Sequence, residues 1–215
     1  MAMPNAKAQS LHVFLGPAVA NDIFLRNKSV TTNPVSRYVL PAPQFVTGFR
    51  LKTQQNFNLM LDATLGLSRI HMPTQNNNAY KFSYEQVRSL ITIGSGYYIQ
   101  WEGKQSFMPF LQLGIGFYEF HNMEQKTPIG SVGVATDHNT SRWIPVCGAG
   151  MEYRFGIGGF NLRCVYTPLD VFKQPVLYDI TGINKTGPYA LQGRLLQFVL
   201  GMHFNLKLFN REEYY

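Results

Sequence analysis

Every second residue from Phe57 to Leu67 is apolar: Phe57, Leu59, Leu61, Ala63, Leu65 and Leu67. The positions between them are Asn58, Met60, Asp62, Thr64 and Gly66. A period of two belongs to a β-strand with one apolar and one polar face. The same alternation recurs and predicts eight strands, at Leu11–Ala20, Phe45–Gln54, Phe57–Ile70, Gln86–Trp101, Phe107–His121, Arg142–Phe155, Phe160–Leu169 and Tyr189–Phe209. The last of these is far longer than a common globular strand of about 5–6 residues. No stretch shows a helical period.

The connections alternate in length. Residues 21–44 separate the first two strands, and only Gln55 and Asn56 separate the next two. Long links around "HMPTQNNNAYKFSY", "NMEQKTPIGSVGVATDHNTS" and "DVFKQPVLYDITGINKTGP" then alternate with the short "EGKQS" and "GIGG". Long–short alternation over an even number of strands is the mark of a transmembrane β-barrel, with short periplasmic turns and long extracellular loops. Centring hairpins on the short links sets Trp101 opposite Phe107, Ile99 opposite Pro109, Phe155 opposite Phe160 and Tyr153 opposite Leu162. Apolar meets apolar each time, as residues sharing a face must.

Which face meets water depends on its chemistry. A soluble barrel with an apolar interior would dress its outer face with Lys and Glu. Here the polar face carries Gly, Ser, Thr, Asn and Gln with one or two charges per strand. Such groups suit a crowded lumen, so the apolar face is assigned to lipid. Two aromatic bands agree with interfacial girdles. Phe57, Tyr97, Trp101, Phe107, Tyr153, Phe155 and Phe160 lie near the short turns, and Tyr84, Phe117, Phe120, Trp143, Tyr166 and Tyr189 near the long loops.

Composition fits this picture. Charged residues make up 14% of the 215, against about 25% in soluble domains. No apolar run reaches the ~18 residues of a membrane-spanning helix. The net charge of +7 is scattered, which argues against a nucleic-acid surface. Near the start, Ala6-Lys7-Ala8 has the A-x-A form of a signal-peptidase site, although the apolar stretch that should precede it is missing. Residues 1–8 therefore read as a residual export signal or an added tail, 9–209 as the barrel, and 210–215 as a periplasmic C-terminal tail.

The segments "GFRLKTQQNFNLMLDATLGL", "FMPFLQLGIGFYEF", "GAGMEYRFGIGGFNLRCVYTPL" and "LQFVLGMHFNLKLF" resemble the small eight-stranded outer-membrane barrels of Bacteroidota, the PorT-like or outer membrane protein beta-barrel family. The resemblance covers most of the strands and none of the long loops. It implies a Gram-negative outer membrane, lipid and lipopolysaccharide contacts, insertion by the barrel-assembly machinery, and often an accessory role in a larger complex. The assembly signal of such proteins lies in the last strand, where Gly201, Phe204, Leu206 and the near-terminal Phe209 match it. The chain departs from that pattern by continuing with "NREEYY", which is read as an end or as a contact for a periplasmic partner.

Eight strands leave an interior that side chains fill, so an open pore is not expected. The inward charges are Arg50, Lys52, Asp62, Arg88, Glu152, Arg154 and Arg163, and His203 also points in. About "GIGG", Glu152 falls opposite Arg163; about Gln55–Asn56, Arg50 faces Met60 and Asp62 is its diagonal neighbour. Arg50, Asp62, Glu152 and Arg163 thus form a candidate lumenal charge network, read either as a salt-bridged plug or as a gate or proton path.

Other chemistry is thin. His71, His121 and His138 with Ser141 lie near the long loops, where some eight-stranded barrels modify lipid A, but no spacing fixes a triad. There is no metal-ligand spacing, and no cofactor is expected. Asn27, Asn139 and Asn184 each open an Asn-x-Ser/Thr triplet, read as chance in a bacterial protein. Cys147 and Cys164 fall about four residues apart along adjacent strands on the apolar face, too far to bridge. The expectation is an all-β, eight-stranded antiparallel up-and-down transmembrane barrel, non-enzymatic, with both termini in the periplasm. Partner contacts are expected around residues 21–44, 122–141 and 170–188. The alternatives are a lipid A-modifying enzyme and a small-solute channel.

Overall fold

The structure, a computed structural model, describes residues 8–24, 42–53, 57–73, 81–100, 105–127, 130–133, 140–171, 176–178, 189–191 and 194–210. The alternating segments become β1 (Ala8–Phe24), β2 (Ala42–Thr53), β3 (Phe57–Pro73), β4 (Lys81–Tyr97), β5 (Gln105–Thr127), β6 (Thr140–Phe155), β7 (Gly158–Tyr166) and β8 (Leu195–Asn210). Each strand pairs antiparallel with its sequence neighbours, and β8 pairs with β1. The sheet closes on itself as an eight-stranded up-and-down barrel. Ser10 pairs with Asn210, so both ends of the barrel chain emerge beside the short turns.

Outward positions carry the apolar side chains. Leu67, Ile93, Leu111 and Leu113 are each more than 60% exposed. Along β3 the outward apolar set runs from Phe57 to Leu67. At ~3.4 Å per residue and a tilt of ~40°, that stretch rises about 25 Å, the height of the apolar band of a transmembrane barrel. Among the described residues no helix is long and apolar enough to cross a membrane; the strands cross. Ring pairs mark the band's edges: Phe117 with Trp143 at 4.9 Å toward the long loops, Phe155 with Phe160 at 5.5 Å toward the short turns.

Several details differ from the sequence reading. Strands run further toward the long loops: β1 reaches Phe24, β5 reaches Thr127, and β3–β4 pairing continues to Pro73 and Lys81. The seventh strand ends at Tyr166 rather than Leu169, and Tyr189–Leu191 leaves the eighth to pair with Val176–Tyr178. Phe120 is buried in the lumen and leaves the outer aromatic band. Tyr84, Trp101 and Tyr189 have side chains outside the described set.

Register differs at two turns. Phe155 pairs with Gly158, not Phe160, and Tyr153 with Phe160, not Leu162. The loop is Gly156–Ile157 alone, and Gly156 has φ +55°. A two-residue hairpin loop that begins with a left-handed residue favours glycine there. Likewise Ile99 pairs with Phe107, not Pro109. Both shifts are by two residues, so every side chain keeps its face. The β2–β3 register, with Arg50 opposite Met60, is as the sequence implied.

The lumen is less polar than its pattern suggested. Phe14, Met60, Met108, Phe110, Tyr118 and Ile144 all point inward and are buried. Glycines across the ladder admit them: Phe14 pairs with Gly48, and Phe110 with Gly150. A Cβ on Gly48 would sit 2.6 Å from the Phe14 ring, and one on Gly150 2.5 Å from the Phe110 ring. Large and small residues alternate to fill a narrow barrel.

Candidate functional site

The inward positions of β2, β3, β6 and β7 place a guanidinium or carboxylate at nearly one depth. Arg50, Asp62, Glu152 and Arg163 are all buried and meet there. Their partners differ from the sequence reading. Because the turn at Gly156–Ile157 holds two residues, Glu152 faces Asn161 and Arg163 faces Gly150. Arg163 instead reaches Asp62 on the opposite wall, with Nη1 2.9 Å from Oδ2. Arg50 donates through Nε and Nη2 to Glu152 Oε2, each at 3.1 Å. It also forks onto Asp62 through Nη1 and Nη2. In a ring of eight, β2 lies across from β6 and β3 from β7. The pairs Arg50–Glu152 and Arg163–Asp62 are therefore two ionic struts that cross the lumen at its diameter.

Neighbours complete the layer. Arg154 pairs with Glu152. Arg163 Nε donates to Asn161 Oδ1 at 3.2 Å, and Asn161 Nδ2 lies 3.4 Å from His203 Nδ1. The Arg50 guanidinium stacks 4.1 Å from the Phe14 ring centroid, a cation–π contact. Planar guanidinium forks suit this role better than ammonium groups, since each engages two acceptors at once. Lys52 lies nearer the short turns, with Nζ 5.8 Å from the Tyr98 ring.

A second polar layer lies toward the long loops. Arg88 Nη1 donates to both oxygens of Asp22, at 3.0 and 2.8 Å. Gln197 Nε2 donates to Asp22 Oδ1 at 2.7 Å. With its amide turned, the Gln44 oxygen accepts from the Arg88 guanidinium. The sequence reading assigned Asp22 and Gln44 to a long loop. The available signal was parity: Asp22 keeps step with Ala18 and Ala20, and Gln44 with Val46. Above this layer Val171 is fully buried, and Thr167 is tied to Leu195 by N–H···O at 2.9 Å. Arg142 Nη1 donates to the Asp170 carbonyl at 2.7 Å. The start of the last long connection is thus bonded to the strands beside it at this end.

The remaining candidates are spread out. Gly201 faces the lumen, Phe204 and Leu206 are exposed on the lipid face, and the Phe209 side chain lies outside the described set. Cys147 and Cys164 are free. Cys147 pairs with Tyr166, so the two thiols are offset by two residues rather than four. On the outer face His121 Nε2 lies 3.2 Å from Glu119 Oε1, and Ser141 is directly opposite Glu119. The His71 side chain and the whole of His138 lie outside the described residues, as do Asn27, Asn139 and Asn184. Among the described residues no group of His, Cys, Asp or Glu is arranged to hold a metal.

No family model matches the chain, and no curated protein sequence matches it. The Bacteroidota resemblance therefore rests on the strand motifs alone. Among solved structures, the chain is similar to Ail, the attachment invasion locus protein of Yersinia pestis, at 11% identity and TM-score 0.47, over 93% of this chain and 100% of that one. It is similar to the outer membrane protein OprG from Pseudomonas aeruginosa at 13% identity and TM-score 0.46, over 94% and 97%. The outer membrane protein AlkL gives 14% identity and TM-score 0.44, over 97% and 94%.

Proposed function

We propose that the chain is a non-enzymatic outer-membrane barrel that serves as a structural or accessory subunit of a larger complex. The observation that carries this reading is the pair of ionic struts across the lumen. With charged side chains bridging the lumen at that depth, the barrel is read as a plugged frame rather than a conduit. What it offers is a rigid frame carrying its long connections at one end, where function on such scaffolds concentrates. The short turns and both termini face the periplasm in this reading, outer-membrane lipid and lipopolysaccharide surround the belt, and the barrel-assembly machinery inserts it. Mild detergent extraction with co-purification tests it: a constant stoichiometric partner is expected, and a solitary barrel at every detergent strength argues against it. Planar-bilayer recording supplies the other arm. Steady single-channel steps from the wild-type barrel would favour the small-solute channel.

The contact between His121 and Glu119, with Ser141 across the ladder, supports a second reading at the outer headgroup level. There a Ser–His–Glu set would act on lipid A. Mass spectrometry of lipid A from cells with and without the protein, and with Ser141→Ala, decides it. An unchanged acyl pattern removes this reading.

A further inference from the structure

Among the described buried groups, positive and negative charges are unequal at the short-turn end of the lumen. Arg50, Arg154 and Arg163 are buried there against Asp62 and Glu152. Three guanidiniums thus face two carboxylates, leaving one positive charge in excess among the described buried groups. An uncompensated buried charge is costly. Arg154 Nη2 and the Tyr98 hydroxyl are among the buried polar atoms there that have no hydrogen-bond partner among the described residues. Both belong to one cluster: the Arg154 guanidinium lies 4.7 Å from the Tyr98 ring centroid, and Lys52 Nζ lies 5.8 Å from the same centroid. Tyr98 is 4% exposed and Arg154 8%, while Lys52 is only half-buried and stands nearer the mouth. His12, also half-buried, has Arg154 and Lys52 among its charged neighbours.

We propose that this end of the lumen binds one small free oxyanion of the phosphate class, held by Arg154 and Tyr98 with Lys52 closing behind it. An excess guanidinium supplies the charge, the two unpartnered donors supply the hydrogen bonds, and a long flexible ammonium supplies the entry. An anion there turns a charge surplus into a neutral plug, so occupancy stabilises the barrel. This goes beyond the accessory role and stands whether or not that role is correct.

The test uses the full chain folded in maltoside micelles, in buffer free of phosphate and sulfate. Calorimetric titration with sodium phosphate should show saturable binding at one site per barrel, and the melting temperature should rise relative to sodium gluconate at equal ionic strength. Lys52→Gln and Tyr98→Phe should each weaken binding about tenfold, the scale of losing one contact to a charged group. Both changes sit near the mouth and spare the ionic struts, so loss of binding is separable from loss of fold. Arg142→Gln, at the opposite mouth, should bind as wild type does. Phosphatidylglycerol bicelles should not compete, because a phosphate fixed to a lipid cannot enter the lumen. Absence of saturable binding, undiminished wild-type affinity in both mouth variants, or displacement by the bicelles would each overturn the proposal.

Discussion

Removing the Glu152 carboxylate probes the lumen most directly. Glu152 is fully buried and accepts from Arg50 twice, at 3.1 Å, and from Arg154. Glu152→Ala deletes all of these acceptors and raises the buried excess from one positive charge to two. Breaking a buried pair in this way costs about 3–5 kcal/mol. With a urea slope of about 2 kcal/mol per molar, the unfolding midpoint should fall by about 2 M, followed by the fluorescence of Trp143 in micelles. The pairing then makes a sharper statement. A double-mutant cycle of Glu152→Gln with Arg50→Gln or Arg154→Gln should return a coupling of about 1.5–3 kcal/mol, the range of hydrogen bonds to charged groups. The cycle of Glu152→Gln with Arg163→Gln should return much less, because Arg163 bonds to Asp62 on the far wall. A Glu152–Arg163 coupling equal to that of Glu152–Arg50 would refute the two-residue turn and the struts built on it. A single mutant that melts like wild type would show that water already compensates the site.

Gly156→Ala should destabilise by about 1–2 kcal/mol, the cost of a left-handed alanine, and an unchanged urea midpoint would contradict the turn. Cysteines introduced at Asn78 and Gly133 should label with an impermeant maleimide on intact cells while one at Lys104 stays dark; the reverse pattern would invert the barrel. Cys147 and Cys164 should stay reduced under oxidising conditions and react slowly with polar reagents, since both side chains sit on the lipid face. A bridged peptide in a non-reduced digest would contradict this.

Strand number, topology and the face of nearly every residue were written in the chain, because alternation has a period of two and a barrel needs an even count of such segments. Arg50, Asp62, Glu152, Arg163 and His203 were assigned inward from parity alone, and they lie there. Parity survives any shift by two residues, which is why the β4–β5 and β6–β7 hairpins could slip without moving one side chain across the wall. Register was therefore not legible at these two turns, although it was between β2 and β3. It depends on whether a loop closes with two residues or four, and "GIGG" permits both. That choice moved Arg163 away from Glu152 and left the two thiols two residues apart. Strand ends were hidden as well: Asp22 and Gln44 sit where the apolar signal fades above the lipid, yet backbone pairing continues there. What the local pattern contained least was contact across the lumen. Arg50 and Glu152 are 102 positions apart, and only closing the sheet, which sets β2 against β6 and β3 against β7, brings their charges within reach.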